Sequence, residues 1–89
     1  MIQKTVTIVN KLGLHARPSA QLVTIASHFK AEIFYTKGEL RVNGKSIMGV
    51  MMLAAEKGAE LVIEVEGPDG QALLDEICKI IADGFSEVV

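Results

Sequence analysis

Apolar positions along this chain repeat with two periods, and the switches between them mark out seven elements. Residues 2–9 alternate, with Ile2, Val6 and Ile8 on one face and Gln3, Thr5 and Thr7 on the other, which predicts a strand. Residues 10–13 read as a turn. The period then lengthens: Leu22, Val23, Ala26 and Phe29 fall at core-facing helical spacing, predicting a helix over 16–28. Pro18 fits its first turn, where the missing N–H has no intrahelical partner. His15 then falls at or near the N-cap.

Residues 32–36 and 40–42 read as short strands joined by a hairpin at Lys37-Gly38-Glu39. Asn43-Gly44 marks another turn, and Ser46 is a good N-cap for a short helix over 47–53. Lys57-Gly58 ends that region. Residues 60–66 alternate cleanly, with Leu61, Ile63 and Val65 inward and Glu60, Glu64 and Glu66 outward. Gly67-Pro68-Asp69-Gly70 is a strong turn signal. A last helix over 71–83 sets Leu74, Ile77, Cys78 and Ile81 at i, i+3, i+4 and i+7. The order is βαββαβα. Strands with one apolar face need one covering layer, so the pattern predicts an α+β fold with helices on a single side of an antiparallel sheet. A ferredoxin-like arrangement has nearly the same order, and the pattern does not choose between them.

Composition narrows the class. Eighty-nine residues make one domain, expected to span 1–89, and 49% hydrophobic with 22% charged residues fits a compact protein. Three Phe, one Tyr and no Trp require a mainly aliphatic core. The N-terminal stretch lacks the apolar run of a signal peptide, and no segment is long enough to span a bilayer. Cys78 is alone, which excludes an internal disulfide and a cysteine-based zinc site. A cytoplasmic protein is expected.

The net charge of −2 hides an uneven distribution. Residues 1–45 carry a balance of +5 and residues 46–89 a balance of −7. The basic half could steer an acidic partner or a phosphate, although an ordinary mixed surface also explains the asymmetry. With no dense basic stripe and few aromatics to stack on bases, nucleic acid is not an expected partner.

The candidate chemistry lies in Gly13-Leu14-His15-Ala16-Arg17-Pro18-Ser19. A helix N-terminus offers unpaired N–H groups and a partial positive charge to an anion. Histidine is a nucleophile able to carry a transferable group, and arginine suits phosphate oxygens. On its own, a histidine before a helix is more often a capping residue. His28, near the end of the same helix, reads as structural. The two histidines, 13 residues apart, would be separated by about 20 Å along a helix, so no shared metal site is expected.

The short helix has no polar face. Val50 and Leu53 fit the core, while Ile47, Met48 and Met51 fit a docking patch for unlike partners. A fully buried helix competes with that reading on pattern alone. Cys78 reads as a packed core residue.

At Gly13-Leu14-His15-Ala16-Arg17-Pro18 and at Val42-Asn43-Gly44-Lys45-Ser46-Ile47-Met48-Gly49-Val50-Met51, the chain strongly resembles the HPr family, histidine-containing phosphocarriers of the bacterial phosphoenolpyruvate-dependent phosphotransferase system. The resemblance covers essentially the whole chain. It implies an open-faced β-sandwich, a four-stranded antiparallel sheet covered on one side by three helices. It implies that His15 takes a phosphoryl group on Nδ1 from enzyme I and gives it to IIA components in sugar uptake. Arg17 matches the arginine that pairs with the phosphate or with a partner's acidic groups. Ser46 matches the serine phosphorylated by an ATP-dependent HPr kinase. Such a protein is a relay, not an enzyme; a monomer without metal, cofactor, nucleic-acid or membrane contact is expected.

A catabolite-repression paralogue of this family lacks the histidine, so His15 argues against that identity. Residues 10–13 and 51–55 look like proteobacterial or nitrogen-related versions. Ser19 stands where the family usually has alanine, its hydroxyl free to donate toward a phosphate or to cap, and Met52 often has a serine as counterpart. The alternative function is a regulatory module of a nitrogen-related phosphotransferase system, acting by phosphorylation-dependent partner binding.

Overall fold

The cleanly alternating stretch becomes the strand on which the sheet is assembled. A computed structural model describes residues 1–87. The elements run β1 (Ile2–Thr7), α1 (Ala16–Ser27), β2 (Glu32–Lys37), β3 (Leu40–Asn43), α2 (Ile47–Met52), β4 (Glu60–Glu66) and α3 (Gly70–Ala82), followed by a tight turn at Gly84–Ser86. The strand order is β1-β4-β2-β3, and every neighbouring pair is antiparallel. A ferredoxin-like sheet would place the first strand inside; here β1 is an edge, which decides between the two arrangements. The expected α+β open-faced sandwich is the fold observed.

Leu61, Ile63 and Val65 of β4 are buried beneath Leu22 and Ala26 of α1 and Leu73, Leu74, Ile77 and Ile81 of α3. Val50 and Leu53 complete the layer from α2 and its C-cap. Cys78 and Phe29 are partly buried and pack against this core, as the helical spacing predicts. Tyr35 and Phe85 are the largest fully buried side chains in an otherwise aliphatic interior. Burial first, and Cys78 nearby, push the Tyr35 phenol well above its ordinary range.

The first strand differs from its expectation. It ends at Thr7 rather than at residue 9, and Ile2 is 39% exposed. Among the described residues only β4 flanks β1, with Ile2 opposite Val65 at the end of the ladder, so one edge of Ile2 meets solvent. Beyond Thr7 the pairing bends away: Ile8 donates to the Ala59 carbonyl at 2.9 Å and accepts from Gly58 at 2.7 Å.

Two polar clamps fix how α1 enters the sheet. The Asp69 carboxylate accepts the Lys30 and Ala31 N–H groups, each at 2.8 Å. Lys45 Nζ donates to the Phe29 carbonyl at 2.7 Å, satisfying an acceptor just past the helix C-terminus. On the uncovered face, Arg41 lies 3.9 Å from the Phe34 ring centroid and pairs with Glu64 at 3.2 Å. No described helix is long and apolar enough to cross a membrane.

Candidate functional site

His15 is the N-cap of α1, as its position before the apolar helix predicts. Its backbone is extended, with φ −74° and ψ −171°, and its carbonyl accepts the Ser19 N–H at 3.1 Å. The imidazole does not cap the helix. Pro18 has no N–H to offer, and no hydrogen bond among the described residues reaches the N–H groups of Ala16 or Arg17. Two donors at the positive end of a 12-residue helix are therefore left beside the histidine.

The loop before His15 is held from two sides. Gly13 has φ +66°, a left-handed conformation, and a Cβ there would strike the Ala55 carbonyl. Leu14 donates to that same carbonyl at 2.8 Å. Asn10, fully buried, spans the turn by donating from Nδ2 to the Gly13 carbonyl at 2.8 Å.

The histidine ring is 36% exposed, and Nε2 lies 3.0 Å from each carboxylate oxygen of Glu87. Glu87 also accepts from Asn10 Nδ2 at 3.1 Å. The hydrogen bond from His15, that from Asn10 and the nearby Arg17 charge together hold the Glu87 carboxyl below the usual glutamate range. Glu87 lies 72 residues from its partner and carries no local sequence signal of this contact. What delivers it is the turn after α3. Gly84, Phe85 and Ser86 all have positive φ, and Phe85 is buried. A left-handed phenylalanine costs about 1–2 kcal/mol. Burying its ring contributes about 1.5–3 kcal/mol, enough to offset that strain.

Arg17 is exposed and lines an open cavity of about 490 Å³ with Lys11, Leu12, Ser86 and Glu87. Its guanidinium makes no hydrogen bond among the described residues, so it is available to an incoming anion. Ser19 takes neither of its two expected roles, donor to a phosphate or helix cap. It is fully buried and its hydroxyl donates to the Leu14 carbonyl at 3.1 Å, so it tightens the loop instead of facing a phosphate. His28 is exposed at the C-cap, at the opposite end of the helix from His15.

Ser46 caps α2: its Oγ accepts the Gly49 N–H at 3.0 Å. The fully buried alternative for α2 does not hold. Val50 and Leu53 are buried, whereas Ile47, Met48, Met51 and Met52 are exposed. These apolar side chains and the histidine loop belong to one region, because Leu14 bonds to Ala55, two residues past Leu53.

The family model for the PTS HPr component phosphorylation site matches residues 2–83. The chain belongs to the HPr family. It is similar to the phosphocarrier protein HPr of Cupriavidus necator, 46% identical over 98% of both chains. It is also similar to the phosphocarrier protein NPr of Shewanella violacea, 40% identical over 97% of this chain and 94% of that one. Among solved structures, HPr-C-His from Thermoanaerobacter tengcongensis superposes with a TM-score of 0.95 at 38% identity, covering both chains fully. An HPr protein is a phosphocarrier of the phosphotransferase system rather than an enzyme. What HPr chemistry requires of this site is therefore a group that holds a phosphoryl reversibly.

Proposed function

We propose that His15 accepts a phosphoryl group on Nδ1 from phosphoenolpyruvate-charged enzyme I in the cytoplasm and passes it to IIA components of the phosphotransferase system in sugar uptake. The observation that carries this reading is a half-exposed imidazole at the N-cap of α1, beside helix N–H groups and an exposed Arg17 that have no partner among the described residues. A phosphohistidine must form and leave readily, so the site should stabilise phosphate only modestly. A surface helix terminus supplies about 0.3–1 kcal/mol per charge, which suits a relay better than a tight trap. Arg17 adds a fixed charge for the phosphate or for acidic groups on a partner.

Ile47, Met48 and Met51 form the docking surface in this reading. Flexible thioethers adapt to unlike partners, and their exposure on a helix otherwise packed on the core supports that role. Ser46, at the edge of the same surface, is the regulatory position. A phosphate there from an ATP-dependent HPr kinase would meet the α2 N-terminus favourably and repel an acidic partner. The protein acts as a monomer.

Incubation with phosphoenolpyruvate and enzyme I should add one acid-labile phosphate, absent from His15→Ala. An unmodified wild-type mass would refute the reading. The similarity to an NPr protein favours a second reading, a regulatory module of a nitrogen-related phosphotransferase system. Transfer from phosphorylated protein to a panel of sugar-specific and nitrogen-related IIA proteins separates the two; a pure regulator passes phosphate to none.

A further inference from the structure

Building on the phosphocarrier reading, we infer that Glu87 is a positioning residue for the transfer: its carboxylate takes the Nε2–H of His15, leaving the lone pair on Nδ1 to attack phosphorus. Both carboxylate oxygens lie 3.0 Å from Nε2. An ionised carboxylate only accepts hydrogen bonds, so the ring nitrogen facing it carries the proton. A neutral imidazole has one N–H, and Nδ1 is then the acceptor nitrogen. No hydrogen bond among the described residues occupies Nδ1. The same logic lets a carboxylate fix the histidine tautomer in a hydrolytic triad.

The carboxylate is itself held for this task. Asn10 Nδ2 donates to Oε1 at 3.1 Å from a fully buried side chain, and the buried Phe85 anchors the turn two residues away. Asn10 therefore connects the Gly13 carbonyl to Glu87 and sets ring and carboxylate in one frame.

The role extends through the transfer. When the Nδ1 lone pair forms the N–P bond, the bond between phosphorus and the donor's own atom breaks and its electron pair returns to that atom. His15 keeps the Nε2 proton, so its ring becomes a phosphoimidazolium with a positive charge next to the Glu87 carboxylate. No other proton or electron moves. In onward transfer the Nδ1–P bond breaks, its electron pair returns to Nδ1, and a neutral imidazole is released. A proton kept on Nε2 thus makes a good leaving group, and the carboxylate keeps it there.

The test uses the full chain and reads the ring nitrogens directly. In alkaline buffer, where a histidine ring is neutral, nitrogen-15 spectra of wild type should show Nε2 protonated and Nδ1 bare, as a single tautomer. Glu87→Ala should move both shifts toward a tautomer mixture. Glu87→Gln, whose amide can turn either its oxygen or its NH₂ to the ring, should fall between, and it retains an acceptor for Asn10 if the alanine variant folds poorly. Phosphorylation of the alanine variant by phosphoenolpyruvate-charged enzyme I should slow about tenfold, as expected for losing one hydrogen bond to a charged group. Identical ring shifts in wild type and both variants would overturn the inference, as would unchanged transfer alongside a changed tautomer. Failure of the phosphocarrier reading looks different: wild type stays unphosphorylated while the tautomer difference remains, which removes Glu87's role in transfer but not its hydrogen bond.

Discussion

The Leu14 N–H and the Ala55 carbonyl meet at 2.8 Å, joining the residue before the histidine to the segment that follows α2. One backbone bond thus couples the candidate phosphate site to the apolar surface beside it. Gly13 makes that approach possible, since any Cβ there would strike the same carbonyl while φ is held at +66°. Gly38 has a similar φ of +60° but nothing within 4 Å of a Cβ among the described residues.

The two glycines should therefore respond differently to alanine. Gly13→Ala adds overpacking to left-handed strain and should cost at least about 2 kcal/mol. Gly38→Ala carries strain alone, about 1–2 kcal/mol. Urea unfolding of both variants measures the difference; equal losses would mean that the loop does not press on Ala55.

Arg17 separates function from stability. It is exposed and makes no hydrogen bond among the described residues, so Arg17→Ala should leave unfolding within about 0.5 kcal/mol of wild type. Phosphorylation by enzyme I should fall roughly tenfold or more, because a charge-assisted phosphate contact is lost. Arg17→Lys should recover only part of the rate, since an ammonium lacks the planar fork. Full recovery would show that charge alone matters.

Much of this arrangement was legible in the sequence because it is local. Ser46 reads as a cap from its position before residue 47, and the polarity of Glu60, Glu64 and Glu66 against Leu61, Ile63 and Val65 gives the inward face of β4. His15 and Arg17 are legible for the same reason, being two residues apart at a helix start. Glu87 was not, because its contact depends on three successive positive-φ residues and a buried Phe85. No periodicity marks such a turn, and only Gly84 hints at it. Asn10 reads as an ordinary turn residue until its amide is seen bridging Gly13 and Glu87. Ile2 shows the converse limit: alternation gives its face, but not that this face lies at the sheet edge.

Asp69 should make stability depend on acidity. The N–H groups of Lys30 and Ala31 hold its carboxyl below the ordinary aspartate range. A depressed folded-state value means a stabilising contribution that is complete above the unfolded-state pKa of about 4. It is lost as pH falls through the lower folded-state value. The Tm gap between wild type and Asp69→Asn should thus be full at neutral pH and shrink below about pH 4. A gap of constant size from neutral to strongly acid solution would refute this assignment.

Met48 is 72% exposed, so replacing it tests docking with little interference from the core. Met48→Asp should change unfolding by no more than about 0.5 kcal/mol. It should weaken binding to enzyme I by about 1–2 kcal/mol or more, in the range of an interface hot spot. Calorimetric titration measures this directly, and unchanged affinity would place docking elsewhere.

Ser46 should let stability and association with a partner change independently. Its hydroxyl accepts the Gly49 N–H at 3.0 Å, so Ser46→Ala loses a cap worth about 1 kcal/mol. That variant keeps the charge of the surface, and its phosphorylation rate should stay near wild type. Ser46→Asp retains a capping acceptor and places negative charge at the α2 N-terminus, where the helix tolerates it. Its stability should match wild type, while like charge against an acidic partner slows association, by about tenfold at low salt and less as salt screens the charges. Thermal unfolding paired with phosphorylation rates at two ionic strengths distinguishes the effects. An aspartate variant as fast as wild type at low salt would remove Ser46 from the partner-facing surface, whatever its value as a cap.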